Sequence, residues 1–333
     1  MANHCILNVY IVINIIILPV KKMEIETEDK PPGSPLIRDY DIGNYLGNGN
    51  FFLKYDGINP TGTQKDRISR RHVENAIEKG YTEISVATCG NYGASIAYYA
   101  RAMGLKAVVG IPSEYSNSRH AEIAAYGAEV IEKPFKYEEM VEYIRDEASK
   151  NGWYDASPGS SNKDLDIAGY SEIAYEIYWQ LGFVPDYVSV PVGNGTTIYG
   201  IYYGFLKLRR SGKSDKVPSF IASSTDGGNP VIYSFMNGFR RIVELDPDSI
   251  VETKSNEPLI AYRSYDGQRA LDMLYKTSGK ALYVSDEDMI NMSRGFREVD
   301  HLSVLPASAS AAVAASRYAG NNSCVIVLTG SDK

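Results

Sequence analysis

Short apolar runs alternate with amphipathic segments along most of this chain. "EISVAT" (83–88) precedes "YGASIAYYARAMG", "KAVVGIP" precedes "SNSRHAEIAAYG", and "AEVIEK" precedes "KYEEMVEYIRDEASKNG". The strand-like runs do not alternate with polar residues, which is typical of parallel strands covered by helices on both faces. The chain is therefore predicted to have an α/β fold with parallel-rich twisted sheets flanked by helices.

The same pattern continues through the second half of the chain. The helix-like "AGYSEIAYEIYWQLG" (168–182) is followed by "YVSVPVG" and then by "TTIYGIYYGFLKLRR" (196–210), and "SFIASST" and "CVIVLTG" are further strand candidates. Ligands of such folds bind at the carboxyl ends of the strands. A functional site is therefore expected in the turns that follow the strands.

Composition narrows the function classes. A chain of 333 residues with 44% hydrophobic residues is long enough for two domains or lobes. Its net charge of −7, without a basic block, disfavours nucleic acid and anionic membrane surfaces as partners. Cys5, Cys89 and Cys324 lie far apart, which suits a reducing cytosol and predicts a cytoplasmic protein. The four histidines form no metal-binding motif, so no metal site is expected.

The N-terminus carries a separate apolar run, "CILNVYIVINIIILPV", of sixteen residues. A membrane-spanning helix needs about 20 apolar residues, and residues 1–4 lack the basic region of a signal peptide. We expect translation to begin at Met23, so that residues 1–22 are a mis-assigned extension; a membrane or signal anchor and a buried strand are the alternatives. No membrane contact is expected for residues 23–333.

The segment "GINPTGTQKDR" (57–67) holds a lysine in a stretch that otherwise reads as a turn entering a helix. Lys65 is predicted at the start of that helix, where the helix dipole disfavours a positive charge. This placement favours a lysine that works as a neutral amine.

Three strand-to-helix turns add polar groups. "CGNYGAS" (89–95) carries Asn91, which is either a helix N-cap or a ligand for an oxygen atom. "GNGTT" (193–197) combines two glycines, two hydroxyls and the start of a helix, which predicts an anion cradle. "VLTGSDK" places Thr329 at the end of a strand. A phosphate-bearing aldehyde cofactor, bound to the lysine as a Schiff base, would use all of these features.

Five segments, in this order, carry a resemblance to a known family. They are "KYDGINPTGTQKDR", "TCGNYGASIAYYARAMGLKAVVGIP", "SVPVGNGTT", "PASASAAVAA" and "VLTGSDK". Together they resemble the pyridoxal-phosphate enzymes of the tryptophan-synthase-β fold (fold type II), most closely threonine synthase. The resemblance implies a two-lobed, three-layer α/β fold with the cofactor between the lobes. It also implies a larger cofactor-binding domain (23–82 and 166–333), a smaller mobile domain (83–165) and a homodimer.

The resemblance assigns expected roles to single residues. Lys65 would bind pyridoxal 5′-phosphate covalently and then act as the base that removes the α-proton of an amino-acid substrate. Asn91 would bond the ring hydroxyl of the cofactor, and Thr329 would face its pyridine nitrogen. The cofactor phosphate would be held by Gly193, Asn194, Gly195, Thr196 and Thr197. The substrate carboxylate would be framed by Thr88, Cys89, Gly90 and Tyr92.

Departures from the family pattern leave the substrate open. Cys89 replaces a hydroxyl residue, and the arginine that binds the substrate phosphate in threonine synthase falls on Asp166. A carboxylate repels phosphate, so either Lys163 takes over the contact in a shifted alignment or the pocket excludes phosphorylated substrates. Asp166 is alternatively a solvated loop or N-cap residue.

Three functions are compatible with these residues. The first is threonine synthase-like conversion of O-phosphohomoserine and water to threonine and phosphate. The second is β-elimination or β-replacement on another amino acid, as in a threonine/serine dehydratase or a cysteine synthase. The third is a non-catalytic protein that binds the cofactor.

Overall fold

The computed structural model describes residues 33–39, 49–113 and 119–332. The predicted extension 1–22 lies outside these residues. The described residues belong to one compact unit. Within the described ranges, no helix is both long and apolar enough to cross a bilayer.

The described strands form a six-stranded sheet and a four-stranded sheet. The strands of the larger sheet are β1 (Leu36–Arg38), β2 (Asn50–Tyr55), β7 (Tyr187–Pro191), β8 (Ser219–Ser224), β9 (Lys280–Tyr283) and β10 (Ser323–Leu328). Their order in the sheet is β1-β2-β10-β7-β8-β9. All of the pairings are parallel except that of β1 with β2.

The strands of the smaller sheet are β3 (Glu83–Ala87), β4 (Lys106–Pro112), β5 (Glu129–Lys133) and β6 (Tyr154–Asp155). Their order in the sheet is β5-β4-β3-β6, and all of the pairings are parallel. All of these strands lie inside the range 83–165 that was predicted to form the smaller domain. The division of the chain into those two domains stays a prediction.

Helices connect the strands, as the alternating pattern predicted. They are α1 (Lys65–Glu78), α2 (Asn91–Met103), α3 (His120–Ala125), α4 (Tyr137–Asn151), α5 (Asp164–Leu181), α6 (Thr196–Arg210), α7 (Pro230–Met236), α8 (Gly267–Lys276), α9 (Asp286–Val299) and α10 (Pro306–Tyr318). Short 3₁₀ turns are formed by 56–58, 247–249 and 257–259.

The predicted elements agree closely with the structure where their pattern was long. The strand at 106–112 and the helix at 196–210 have the predicted bounds. The helix predicted from residue 168 begins at Asp164, because its first turn carries acidic residues that the apolar pattern does not count. Those acidic residues lie where the dipole at a helix N-terminus favours negative charge.

The α/β prediction is confirmed. Val188 and Val190 of β7 and Val325 and Val327 of β10 are buried in the main hydrophobic core, together with residues of α2, α5 and α6. Burial of these strands explains why they lack polar alternation. Because β7 and β10 are parallel neighbours, the turns after them, at 193–197 and 329–330, leave the same edge of the sheet.

Candidate active site

A cavity of about 520 Å³ lies at the carboxyl ends of these strands. It brings together nearly all the residues predicted for the site. Lys163, the N-cap residue of α5, is not among the residues that line it. The predicted residues that do line it are Lys65, Thr88, Cys89, Gly90, Asn91, Tyr92, Gly193, Asn194, Gly195, Thr196, Thr197 and Thr329.

The turn before Lys65 is fixed by its own side chains. The buried Asp66 carboxylate accepts hydrogen bonds from the Thr61 N–H (2.7 Å) and the Thr61 hydroxyl (2.6 Å). The Gln64 N–H donates to the Thr329 carbonyl at 2.8 Å, which ties the turn to the end of β10. These bonds set the direction in which α1 leaves the turn, and they bring Lys65 and Thr329 to one cavity.

Lys65 is the first residue of α1, as predicted. Its Nζ lies 5.4 Å from the ring centre of Tyr92 and 5.9 Å from that of Tyr170. Burial, the largest effect, lowers the pKa of the Lys65 ammonium group, while Asp166 and Cys89 act in the opposite direction. The environment therefore favours the neutral amine that covalent chemistry requires.

Arg67 anchors the same helix on its other side. Its guanidinium donates to the Asp56 carboxylate at 2.7 and 2.8 Å and to the Glu176 carboxylate at 2.7 and 2.8 Å. Lys54 Nζ lies 2.7 Å from Glu176 and shares this buried network. Bidentate pairs of this kind fix orientation as well as charge, so α1 is held against β2 and α5.

The 193–197 turn has the form of an anion cradle. Gly195 has φ +82°, a left-handed conformation that favours glycine, and no side chain caps the α6 helix that follows. The first N–H groups of α6 have no partner within the helix and are free to bind an anion. A Cβ on Gly195 would lie 2.9 Å from the Ala270 Cβ, and one on Gly193 would lie 2.8 Å from the Pro258 carbonyl oxygen. Neighbouring backbone and α8 therefore require both glycines.

The 88–92 loop is organised by Thr88. Its hydroxyl oxygen accepts hydrogen bonds from the Gly90 N–H (2.9 Å) and the Gly93 N–H (3.2 Å). The Tyr92 hydroxyl donates to the Ala156 carbonyl at 3.0 Å, so the ring rather than the hydroxyl faces Lys65. The loop thus presents the start of α2 to the cavity.

Asn91 is not an N-cap, so that alternative is wrong. It is the first residue of α2, after Gly90 at the cap position. Its Oδ1 accepts a hydrogen bond from Arg119 Nη1 at 2.8 Å. A guanidinium only donates, so the Asn91 amide presents its oxygen to Arg119 and keeps its NH₂ group for another partner.

Asp166 is not a solvated residue, and that alternative is also wrong. It lies in the first turn of α5, is 5% exposed and lines the cavity. Its Oδ1 lies 2.9 Å from Nε2 of the fully buried His72. Apolar periodicity gave no sign of this because α5 begins earlier than its apolar face.

Sequence reasoning missed a group of glutamates on the cavity wall, Glu138, Glu252 and Glu257. Burial, followed by Glu252, raises the pKa of Glu257 to about 7. Burial, followed by Glu257 and Glu252, raises the pKa of the Cys89 thiol, so this loop residue stays a neutral thiol. The glutamates come from segments far from any recognised motif, and only tertiary packing brings them here.

These residues fit pyridoxal 5′-phosphate. The uncapped α6 start and its two required glycines suit the phosphate, and the Lys65 amine with its lowered pKa suits the aldehyde. The α/β fold, the anion cradle and the buried lysine amine together match the class of proteins that use this cofactor.

Comparison with known proteins gives the family. Residues 29–330 match the family model described as pyridoxal-phosphate dependent enzyme. The chain belongs to this family, and its cofactor is pyridoxal 5′-phosphate.

Two curated relatives are threonine synthases. That of Methanocaldococcus jannaschii is 30% identical over 282 residues, which cover 84% of this chain and 67% of that protein. That of Methanosarcina acetivorans is 28% identical over 296 residues, which cover 88% and 71%. The resemblance found in the sequence is thereby confirmed.

Solved structures with the same fold are named for activities other than threonine synthase. A threonine deaminase from T.th. has a TM-score of 0.74 at 21% identity and covers 90% of this chain and 92% of its own. Maize serine racemase has a TM-score of 0.75 at 18% identity and covers 90% and 88%. At these identities the likeness shows the fold alone.

Proposed function

We propose that this chain is a pyridoxal-phosphate-dependent lyase that removes a substituent from a small amino acid by elimination. The cofactor supplies an electron sink for the α-carbon. Lys65 would hold the cofactor and take the α-proton at Nζ, the 193–197 cradle would hold the cofactor phosphate, and the Asn91 NH₂ group would donate to the ring hydroxyl. Thr329 would lie on the side of the pyridine nitrogen.

The side-chain part of the substrate is proposed to be unphosphorylated, as in β-elimination or β-replacement. The observation that carries this is the lack of an arginine among the described residues that line the cavity. The described lining includes the acids Glu138, Asp166, Glu252 and Glu257. It includes no arginine, and its lysines are Lys65 and Lys136.

Lys136 Nζ lies 2.6 Å from Asp248 in an ion pair that is exposed to solvent, so this lysine points toward the surface and not to a buried phosphate site. A dianionic substrate phosphate would meet carboxyl groups and no arginine on this wall, whereas a hydroxyl or amine needs no cationic partner. The wall therefore supports the second of the three functions considered above.

A threonine synthase-like reaction on O-phosphohomoserine is the second candidate. The named relatives at 28–30% identity over most of the chain support it. In that case Lys163 or Lys136 would have to turn toward the substrate phosphate.

The test is to incubate holoenzyme with L-threonine, L-serine or O-phospho-L-homoserine and to measure released 2-oxoacid, inorganic phosphate and threonine. We expect 2-oxoacid from a hydroxy amino acid and little phosphate. Rapid formation of phosphate and threonine would refute the unphosphorylated substrate and establish the second candidate. A cofactor spectrum that responds to none of the amino acids would refute both in favour of a non-catalytic protein.

A further inference from the structure

His72 is a buried titratable group that the proposed reaction does not yet use. It lies seven residues after Lys65 on α1, about two full turns, so both side chains lie on one face of the helix. α5 packs against α1 and places Asp166 on that same face. Asp166 is thus next to the cavity and Lys65 on one side and bonded to His72 on the other.

The hydrogen bonds around His72 determine where its protons are. The Tyr154 hydroxyl donates to Asn75 Oδ1 at 3.0 Å, so its single hydrogen is already used. His72 Nδ1 lies 3.2 Å from that hydroxyl oxygen and must therefore donate to it. A second proton lies between His72 Nε2 and Asp166 Oδ1, which are 2.9 Å apart.

The Asp166–His72 pair consequently holds a proton that it can release. With Nδ1 already protonated, the pair is either a carboxylic acid beside a neutral imidazole or a carboxylate beside an imidazolium. His72 is fully buried and Asp166 is 5% exposed. The cavity is thus the side of Asp166 on which that proton can meet a ligand.

We propose that Asp166 is the general acid that protonates the leaving group, with His72 as the residue that positions and supplies its proton. This rests on the proposed lyase function. Lys65 Nζ takes the α-proton, and the electrons of the Cα–H bond form a double bond between Cα and Cβ. The Cβ–O bond breaks, its electrons stay with oxygen, and the Asp166 proton completes a water molecule.

The tyrosines around Asp166 do not take this role. The aromatic hydroxyls have pKa values raised by burial, so they remain protonated and are weak acids. The charged and titratable groups that feel the Asp166 charge are Lys65, His72, Tyr92, Tyr137, Tyr154, Tyr170 and Asp266.

The test compares two leaving groups in wild-type holoenzyme and in Asp166→Asn. Hydroxide leaving from L-serine needs a proton, whereas chloride leaving from β-chloro-L-alanine needs none. General acid catalysis contributes about 10²- to 10⁴-fold. We therefore expect the ratio of the serine rate to the chloroalanine rate to fall by at least about 100-fold in Asp166→Asn.

An unchanged ratio, with both rates lowered equally or not at all, would overturn the proposal and leave the pair a packing contact. Wild-type holoenzyme that eliminates from neither compound would refute the lyase function and this proposal together. The two failures are therefore distinguishable.

His72 has its own readouts. In His72→Gln, Asp166 must take its proton from solvent, so the optimum for serine elimination should move to lower pH while the chloroalanine profile stays in place. His120→Gln is the matched control, since His120 is 45% exposed on the surface beside Glu132. The ¹⁵N chemical shift of Nδ1 in ¹⁵N-histidine protein should show a protonated nitrogen. An unprotonated Nδ1, or equal pH shifts for both substrates, would overturn the assignment.

Discussion

Replacing Glu176 with glutamine should destabilise the folded protein by about 3 kcal/mol at pH 7. The Glu176 carboxylate accepts two hydrogen bonds from Arg67 and an ion pair from Lys54. Burial would raise the pKa of Glu176, but Arg67 and Lys54 outweigh it and lower that pKa to about 2. The amide has the same size but leaves two buried cations short of one negative charge.

Two estimates give this magnitude, one from the pKa of Glu176 and one from buried ion pairs in general. Lowering the carboxyl from 4.5 to about 2 corresponds to about 3 kcal/mol, at about 1.36 kcal/mol per unit. Removing one partner of a buried ion pair costs about 3–5 kcal/mol in general. Because the folded-state pKa is the lower one, this stability is present above the unfolded value of 4.5 and is lost as the pH falls toward 2.

Urea denaturation of wild type and Glu176→Gln at pH 7 and pH 4 measures this. Wild type should exceed Glu176→Gln in unfolding free energy by about 3 kcal/mol at pH 7. This difference should be smaller by about 1 kcal/mol at pH 4. Glu74→Gln is the control. It breaks an exposed ion pair with Arg70 within α1 and should lower the unfolding free energy by less than about 0.5 kcal/mol. A Glu176 variant as stable as this control, or a difference that widens toward acid, would refute the reasoning.

Three further predictions concern the cavity. Lys65→Ala should fold but lose turnover and the borohydride-reducible cofactor adduct, which mass spectrometry detects. Thr196→Val should weaken cofactor binding by about 1.5–3 kcal/mol, one hydrogen bond to a charged group, measured by fluorescence titration of variant and wild type with the cofactor. The pKa of Glu257 is raised to about 7, so the stability that its protonated form contributes falls as the pH rises through 7. In Glu257→Gln, the urea midpoint of unfolding should depend less on pH between pH 5.5 and 8.5 than it does in wild type. An unchanged pH dependence would show that another group titrates in this range.

The sequence predicted those parts of the site that depend on local structure. Lys65 begins a helix, and the 193–197 turn begins another, because turn residues and apolar periodicity specify helix starts over a few residues. Parallel strands then gather the turns at one edge of a sheet, so knowing the order of strands and helices was enough to bring Lys65 and Thr329 together.

The other parts depend on packing between distant segments. His72 meets Asp166 across 94 residues of sequence, and Arg119 meets Asn91 across 28. Neither pair belongs to a turn or a periodic face that a single sequence displays. The Asn91 side chain shows the consequence: an Asn before a helix predicts a cap, but an arginine from another segment takes its oxygen instead.

The direction of each side chain on α1 connects stability with chemistry. Successive residues of a helix are rotated by about 100°. Lys65 therefore points into the cavity and His72 toward Asp166 at the start of α5, while Arg67 points away from the cavity. There Arg67 is held by the buried carboxylates of Asp56 and Glu176, each of which accepts two hydrogen bonds from it. Because α1 is fixed on its Arg67 side, Lys65 is already positioned on the cavity side. Cofactor binding therefore does not have to order the helix. The Glu176→Gln variant should therefore bind the cofactor more weakly although residue 176 does not line the cavity, and unchanged affinity would show that the turn at 61–66 alone positions Lys65.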